Sequence, residues 1–276
     1  MEFTERVLVL RVGRFREADL WVRFLSPTKG ILSAFAFGGA RSRRRFTGCL
    51  DSFNDVLFQV KSSRGGMYLA LQEGVLMRGP ERLRRDWRRT GPAMNCLKFL
   101  EAFGVGPEGA AAAHALFAGT LELLEEEESP PELLPVFFRA RLAVEQGYAL
   151  DLRLCSRCGK SLSDEERCAF LPADGLFVCA ACTRSPEMRS MVIHRETLDA
   201  LAQVLEYTHS SFGARGEGTF PSVKDGENGH KTLGAWKRGA AAALSLLGRK
   251  ECARAVDAFI QYHVGLFWEN GRFLRG

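Results

Sequence analysis

Two Cys-x-x-Cys pairs, Cys155/Cys158 and Cys179/Cys182, stand 20 residues apart in this chain. No other feature of the sequence constrains the backbone so tightly. Two residues between cysteines let one tight turn aim both sulfurs at a common point, and two such turns supply four thiolates to a tetrahedral ion. Four cysteines closing one tetrahedron leave no open position for water. The spacing therefore predicts one structural, non-catalytic Zn²⁺ per chain, held by Cys155, Cys158, Cys179 and Cys182. Gly159 follows the first pair, where the turn closes. Phe170, Leu171, Leu176, Phe177 and Val178 predict a small hairpin between the pairs, within a module of about residues 152–186. Cys168 lies between the pairs and could compete as a ligand. Cys49, Cys96 and Cys252 are isolated in apolar or helical contexts and read as buried thiols.

The chain has 276 residues, 46% of them hydrophobic and 26% charged. That composition excludes a disordered tail or a collagen-like fibre, and the length suggests two domains. The first sixteen residues carry six charges around the short apolar run Val7–Leu10, unlike a secretory leader. No apolar window is long enough to span a membrane. The expected compartment is a reducing cytoplasm, where paired cysteines more often hold metal than form disulfides. The catalytic motifs are also missing. There is no His-x-Glu before the cysteine pair, no Walker A loop, no Gly-x-Ser-x-Gly and no His-Glu-x-x-His. A binding protein is expected, not an enzyme with a small-molecule substrate.

The first 77 residues read as five short strands: Val7–Leu10, Leu20–Leu25, Ile31–Phe37, Val56–Val60 and Met67–Leu71. Turn signals separate them, which predicts a small closed or nearly closed barrel. The tight links Ser26–Lys29 and Ser62–Gly66 predict antiparallel neighbours. From Pro80 the period becomes helical. Leu83, Trp87, Met94, Leu97 and Leu100 mark a first helix, and Gly109–Glu127 a second. Pro131–Gln146 reads as a third, stopped by Gly147. After the cysteine module come helices over His194–Thr208, Lys231–Leu247 and Glu251–Phe267. Ser210–His230, rich in Gly and poor in apolar residues, reads as a flexible insertion. The fold class is α+β and multidomain, with a barrel over residues 1–79 and an all-α domain over 80–276 that carries the cysteine module.

Charge is concentrated at one end. Residues 1–90 hold 18 Lys+Arg against 9 Asp+Glu, whereas the remainder holds 20 against 24. A basic first third suggests a face for a polyanion. The loop Arg41-Ser42-Arg43-Arg44-Arg45-Phe46 cannot be a core element, and guanidinium groups meet phosphates bidentately. Phe35, Phe37, Phe46, Trp21 and Phe24 nearby could stack bases. Arg78, Arg82, Arg85 and Arg89 share a helix face at three- and four-residue spacing and could extend the track. The candidate DNA-binding residues are Arg14, Arg41, Arg43, Arg44, Arg45, Arg82, Arg85 and Arg89.

At this point the chain resembles the RecO family of bacterial DNA repair and recombination mediators. Phe15-x-Glu17-x-Asp19-x-x-Val22 and Thr28-x-x-Gly30 look like the family's second and third strands. Gly39-Ala40-Arg41 through Arg45-Phe46-x-Gly48-x-Leu50-x-x-Phe53 looks like its basic loop, with Ser52 where the family pattern has proline. Gly147-Tyr148-x-Leu150-x-Leu152-x-x-Cys155-x-x-Cys158-Gly159 looks like the start of its zinc module. The resemblance implies an N-terminal OB-fold, a helical domain and an inserted four-cysteine zinc finger. It implies binding of single- and double-stranded DNA, annealing of complementary strands, and help in loading RecA onto strands coated by single-strand DNA-binding protein (SSB). It also implies partnership with RecR, no hydrolytic chemistry, and a cytoplasmic, nucleoid-associated location. The rival reading is an RNA- or ribosome-associated adaptor made of an OB-fold and a zinc ribbon.

Overall fold

Alternating apolar and polar residues build five strands at the start of the computed structural model, which describes residues 1–148, 150–183, 190–206 and 244–276. They are β1 (Glu2–Arg14), β2 (Leu20–Ser26), β3 (Gly30–Ala36), β4 (Asp55–Ser62) and β5 (Leu69–Arg78). They close into a barrel in the order β1-β2-β3-β5-β4. β1 pairs with β4 over Glu2–Leu8 and with β2 over Leu8–Arg14, which is why it runs far beyond its apolar centre. A register shift between Val9 and Arg11 lets the strand bend from one partner to the other. Both tight links join antiparallel neighbours, as expected. β3 and β5 are parallel and meet only at Ala34/Leu69 and Phe35/Ala70. Val7, Val9, Val22, Phe24, Ala34, Ala36, Val56, Phe58, Val60 and Leu71 fill the interior.

Three helices complete the first compact unit, Met1–Glu128. They are α1 (Glu81–Arg85), α2 (Trp87–Phe103) and α3 (Ala110–Glu126). The single helix expected from Pro80 is broken at Asp86, whose side chain accepts from the Arg88 N–H and caps α2. Trp87, placed on the apolar stripe by its spacing, is 78% exposed as a result. These helices, expected to belong with the second domain, lie with the barrel. The Phe117 ring on α3 sits 6.3 Å from that of Phe53, and Arg11 on β1 pairs with Glu101 on α2 at 2.6 Å.

The second unit, Ser129–Gly276, is built on α4 (Leu134–Glu145), α5 (Arg195–Glu206) and α6 (Leu246–Phe259). Arg139 on α4 pairs with Asp257 on α6, and Arg141 donates to the Val204 carbonyl on α5 at 3.0 Å. The hairpin between the cysteine pairs is β6 (Arg167–Leu171) and β7 (Leu176–Cys179), with Phe170 opposite Phe177. A further strand, β8 (Met191–His194), pairs with β6 just before α5. The last helix, expected to reach Phe267, ends at Phe259 and gives way to a π-helical turn over Ile260–Val264. The chain then forms a second hairpin, β9 (Leu266–Glu269) and β10 (Arg272–Arg275). Asn270 and Gly271 between them have φ of 48° and 78°, the left-handed pair that a two-residue hairpin turn requires. The expected insertion at Ser210–His230, and the part of the expected helix Lys231–Leu247 before residue 244, lie outside the described residues. Among the described residues, no helix is long and apolar enough to cross a membrane.

Candidate nucleic-acid interface and candidate metal centre

The four cysteines of the paired motif come together. Their sulfurs all lie within 4.8 Å of one another, and the Cys158 and Cys179 sulfurs are 3.8 Å apart. A tetrahedron of sulfurs about 2.3 Å from a central ion has edges of about 3.8 Å, so the set fits a tetrahedral metal ion. Local backbone bonds shape the site. Gly159 has φ +70° and its N–H donates to the Cys155 carbonyl, while Ser156 N–H ties the first turn to the Phe177 carbonyl on β7. Cys182 sits on a short 3₁₀ turn, Ala180–Thr183, directly after β7. Burial raises the Cys155 thiol, but backbone N–H groups, chiefly of Cys179 and Cys158, outweigh it and bring the group down to about 6. The Cys182 thiol is pushed up to about 12, first by hydrogen bonding with Cys179 and Cys158. Cys168 is outside the cluster, buried on β6, with its thiol raised to about 12 by burial. Cys49, Cys96 and Cys252 are fully buried.

The basic loop leaves the barrel after β3 through a 3₁₀ turn at Gly39–Arg41 and returns its apolar residues, Phe46 and Cys49, to the core. Its four arginines are all exposed but not equivalent. Arg41 pairs with Glu17. Arg45 donates to the carbonyls of Phe37 and Gln72 and lies 5.0 Å from the Phe46 ring centroid, so it braces the loop. Arg43 and Arg44 have no side-chain partner among the described residues, nor does Arg14, which is exposed at the end of β1.

The second track differs from its expected form. Arg78 is held by Glu122 and Glu126 at 3.0 and 2.9 Å, and Arg82 donates to the Glu126 carbonyl. Arg85 is exposed beside Glu81. Arg89 does not reach the surface. It is 5% exposed, and its guanidinium donates to the carbonyls of Leu124, Glu127 and Glu128. The Leu124 carbonyl lies in the last turn of α3 and those of Glu127 and Glu128 just after it, so Arg89 acts as a helix cap and not as a phosphate contact. Among the rings considered for stacking, Phe24 and Phe46 are core residues, whereas Trp21, Phe35 and Phe37 lie on the outer side of the barrel. Phe15 and Tyr68, which are not among the rings expected to stack, lie beside Phe35.

Comparison with known proteins decides the family. Residues 1–79 match the model for the N-terminal domain of recombination protein O, and residues 84–214 match that for its C-terminal domain. The chain is 51% identical to the DNA repair protein RecO of Oleidesulfovibrio alaskensis, an alignment that covers 100% of both chains. The chain belongs to the RecO family. More distant RecO proteins align almost as completely. That of Maridesulfovibrio salexigens is 38% identical over 99% of both chains, and that of Lawsonia intracellularis 35% over 100% of both. Membership places the barrel, the helices and the four-cysteine cluster in a family of DNA repair and recombination proteins.

Proposed function

We propose that the protein is a non-enzymatic recombination mediator that binds single- and double-stranded DNA and anneals complementary strands. With RecR it would help load RecA onto DNA coated by SSB. The observation that carries this reading is the pair of exposed guanidiniums, Arg43 and Arg44, on a loop whose other two arginines are already engaged. Cations without a protein partner can neutralise phosphates, release their counterions and let two backbones approach while the bases remain able to pair. Membership of the RecO family supports the same reading. The cysteine cluster would hold one structural Zn²⁺, because four thiolates close the coordination sphere and suit a soft, tetrahedral ion. An annealing assay with fluorescent complementary strands tests the proposal. The protein is expected to speed annealing of bare DNA and of SSB-coated DNA. No acceleration of either would overturn it.

A further inference from the structure

The outer face of the first three strands presents rings where an ordinary barrel presents polar side chains. Val22, Phe24, Ala34 and Ala36 point into the barrel, so alternation puts Trp21 and Phe35 on the other side, with Phe37 just beyond the end of β3. Register pairs Trp21 with Phe35 on one flank and with Gly13 on the other. The indole lies across Gly13: a Cβ there would sit 2.4 Å from its Cε2 and Nε1 atoms. The Phe15 ring lies 4.6 Å from that of Phe35, and Phe37 follows at 5.8 Å with the planes 23° apart. Tyr68 is delivered by the turn before β5, where the Ser63 N–H donates to the Tyr68 carbonyl. Its ring stands edge-on, 5.8 Å from Phe35 and 5.9 Å from Phe37. Phe15, Phe37 and Tyr68 are 48%, 38% and 43% exposed.

A contiguous group of exposed rings marks a binding surface, and the charges around this one indicate what binds. The Arg16 guanidinium lies 5.2 Å from the Phe15 centroid, and Arg14 flanks the same ring in sequence. Arg64 is exposed in the turn that carries Tyr68, and Arg45 is bonded to the Phe37 carbonyl. The neighbouring carboxylates are occupied, Glu17 by Arg41 and Asp19 by the Gly38 N–H. Apolar ring faces inside a cationic rim complement a chain of flat bases with one phosphate per nucleotide. A duplex hides its base faces in its own stack, so the fitting ligand is an unpaired strand. We propose that Phe15, Phe35, Phe37 and Tyr68 form a stacking platform for the unpaired bases of single-stranded DNA. This rests on the DNA-binding reading above and adds a second mode of contact to it. Stacking grips a base by its face and leaves its hydrogen-bonding edge open to a complementary strand.

The test compares binding of the full chain to fluorescent oligothymidylate and to an abasic strand of equal length, by anisotropy across a salt series. The wild-type protein is expected to bind the oligothymidylate roughly tenfold tighter or better, because the abasic strand has no base faces to stack. In Phe37→Ala/Tyr68→Ala the oligothymidylate should fall to the abasic level, while the salt slope stays unchanged because the phosphate contacts remain. Phe37→Tyr and Tyr68→Phe keep the ring faces and should retain the preference. Equal wild-type affinity for the two strands would overturn the platform and leave DNA binding standing, and it needs no variant to fold. So would a full preference retained in a double variant with a wild-type melting curve. Absence of salt-dependent binding to either strand would instead overturn the DNA-binding reading itself.

Discussion

Arg89 reaches from the first turn of α2 to the end of α3 and donates through Nη1 to the Leu124 carbonyl at 2.5 Å. The same nitrogen meets the Glu127 carbonyl at 2.6 Å, and Nη2 meets that of Glu128 at 3.1 Å. Asp86 lies 3.4 Å from its Nε. One buried cation thus serves three acceptors, in the last turn of α3 and just after it. Arg89→Ala would take this donor from all three and should destabilise the fold by about 3 kcal/mol. Urea unfolding should show this as a lower midpoint. Salt-dependent DNA binding by the folded fraction should not change. A wild-type midpoint would contradict the cap.

On the proposed function, Arg43 and Arg44 would carry the loop's phosphate contacts. Single-strand binding weakens with salt by a log–log slope of about −0.7 per contact. Arg43→Ala/Arg44→Ala should therefore flatten the slope by about 1.4, equally for every base sequence. Its melting point should stay close to wild type, because neither side chain packs. Arg45 makes a poorer probe, since its bonds to Phe37 and Gln72 brace the loop. An unchanged slope in the folded double variant would move the phosphate track elsewhere.

The cysteine cluster predicts metal in the purified, reduced protein at about one zinc per chain. Cys158→Ser should release it and weaken protection of the β6–β7 hairpin in hydrogen exchange. The barrel belongs to the other compact unit and should keep its protection. Elemental analysis that found no zinc would sink the assignment.

His114 on α3 predicts an acid-sensitive step. Burial lowers its pKa from 6.5, ahead of smaller influences from Asp55, Arg6 and Glu5, and its Nε2 is buried without a hydrogen-bond partner among the described residues. The unfolded chain then binds a proton more readily than the folded one. Stability should be unaffected above the unfolded value near 6.5. It should begin to fall as the pH drops through that value, and the loss should be complete below the depressed folded value. His114→Gln should remove this part of the pH dependence of urea unfolding between about pH 7 and 5. The same slope in both proteins would assign the effect to another group.

Several elements were legible because local spacing suffices to specify them. A Cys-x-x-Cys turn needs only the residues it contains, so the clustering of the four cysteines and the β6–β7 hairpin were readable directly. So were the strands on either side of Ser26–Lys29 and Ser62–Gly66. The terminal hairpin had its signal as well, the Asn270-Gly271 turn, but a helical period read across it obscured the strands. Other features depended on what each face met. Helical spacing grouped Arg85 with Arg89, yet Arg85 is exposed and Arg89 is buried, because Arg89 meets the carbonyls at the end of α3 and Arg85 does not. Alternation likewise separated Phe24 from Phe35 and Phe37 without naming the inner side, since both sets are apolar. Barrel closure decided it. Pairing β1 with both β2 and β4 curls the sheet so that Phe24 faces the opposite wall at Phe58, 6.0 Å away, and Phe35 faces outward with Phe15, Phe37 and Tyr68. A period of two records that a strand has two faces, and only the curvature of the closed sheet determines which of them is kept from water.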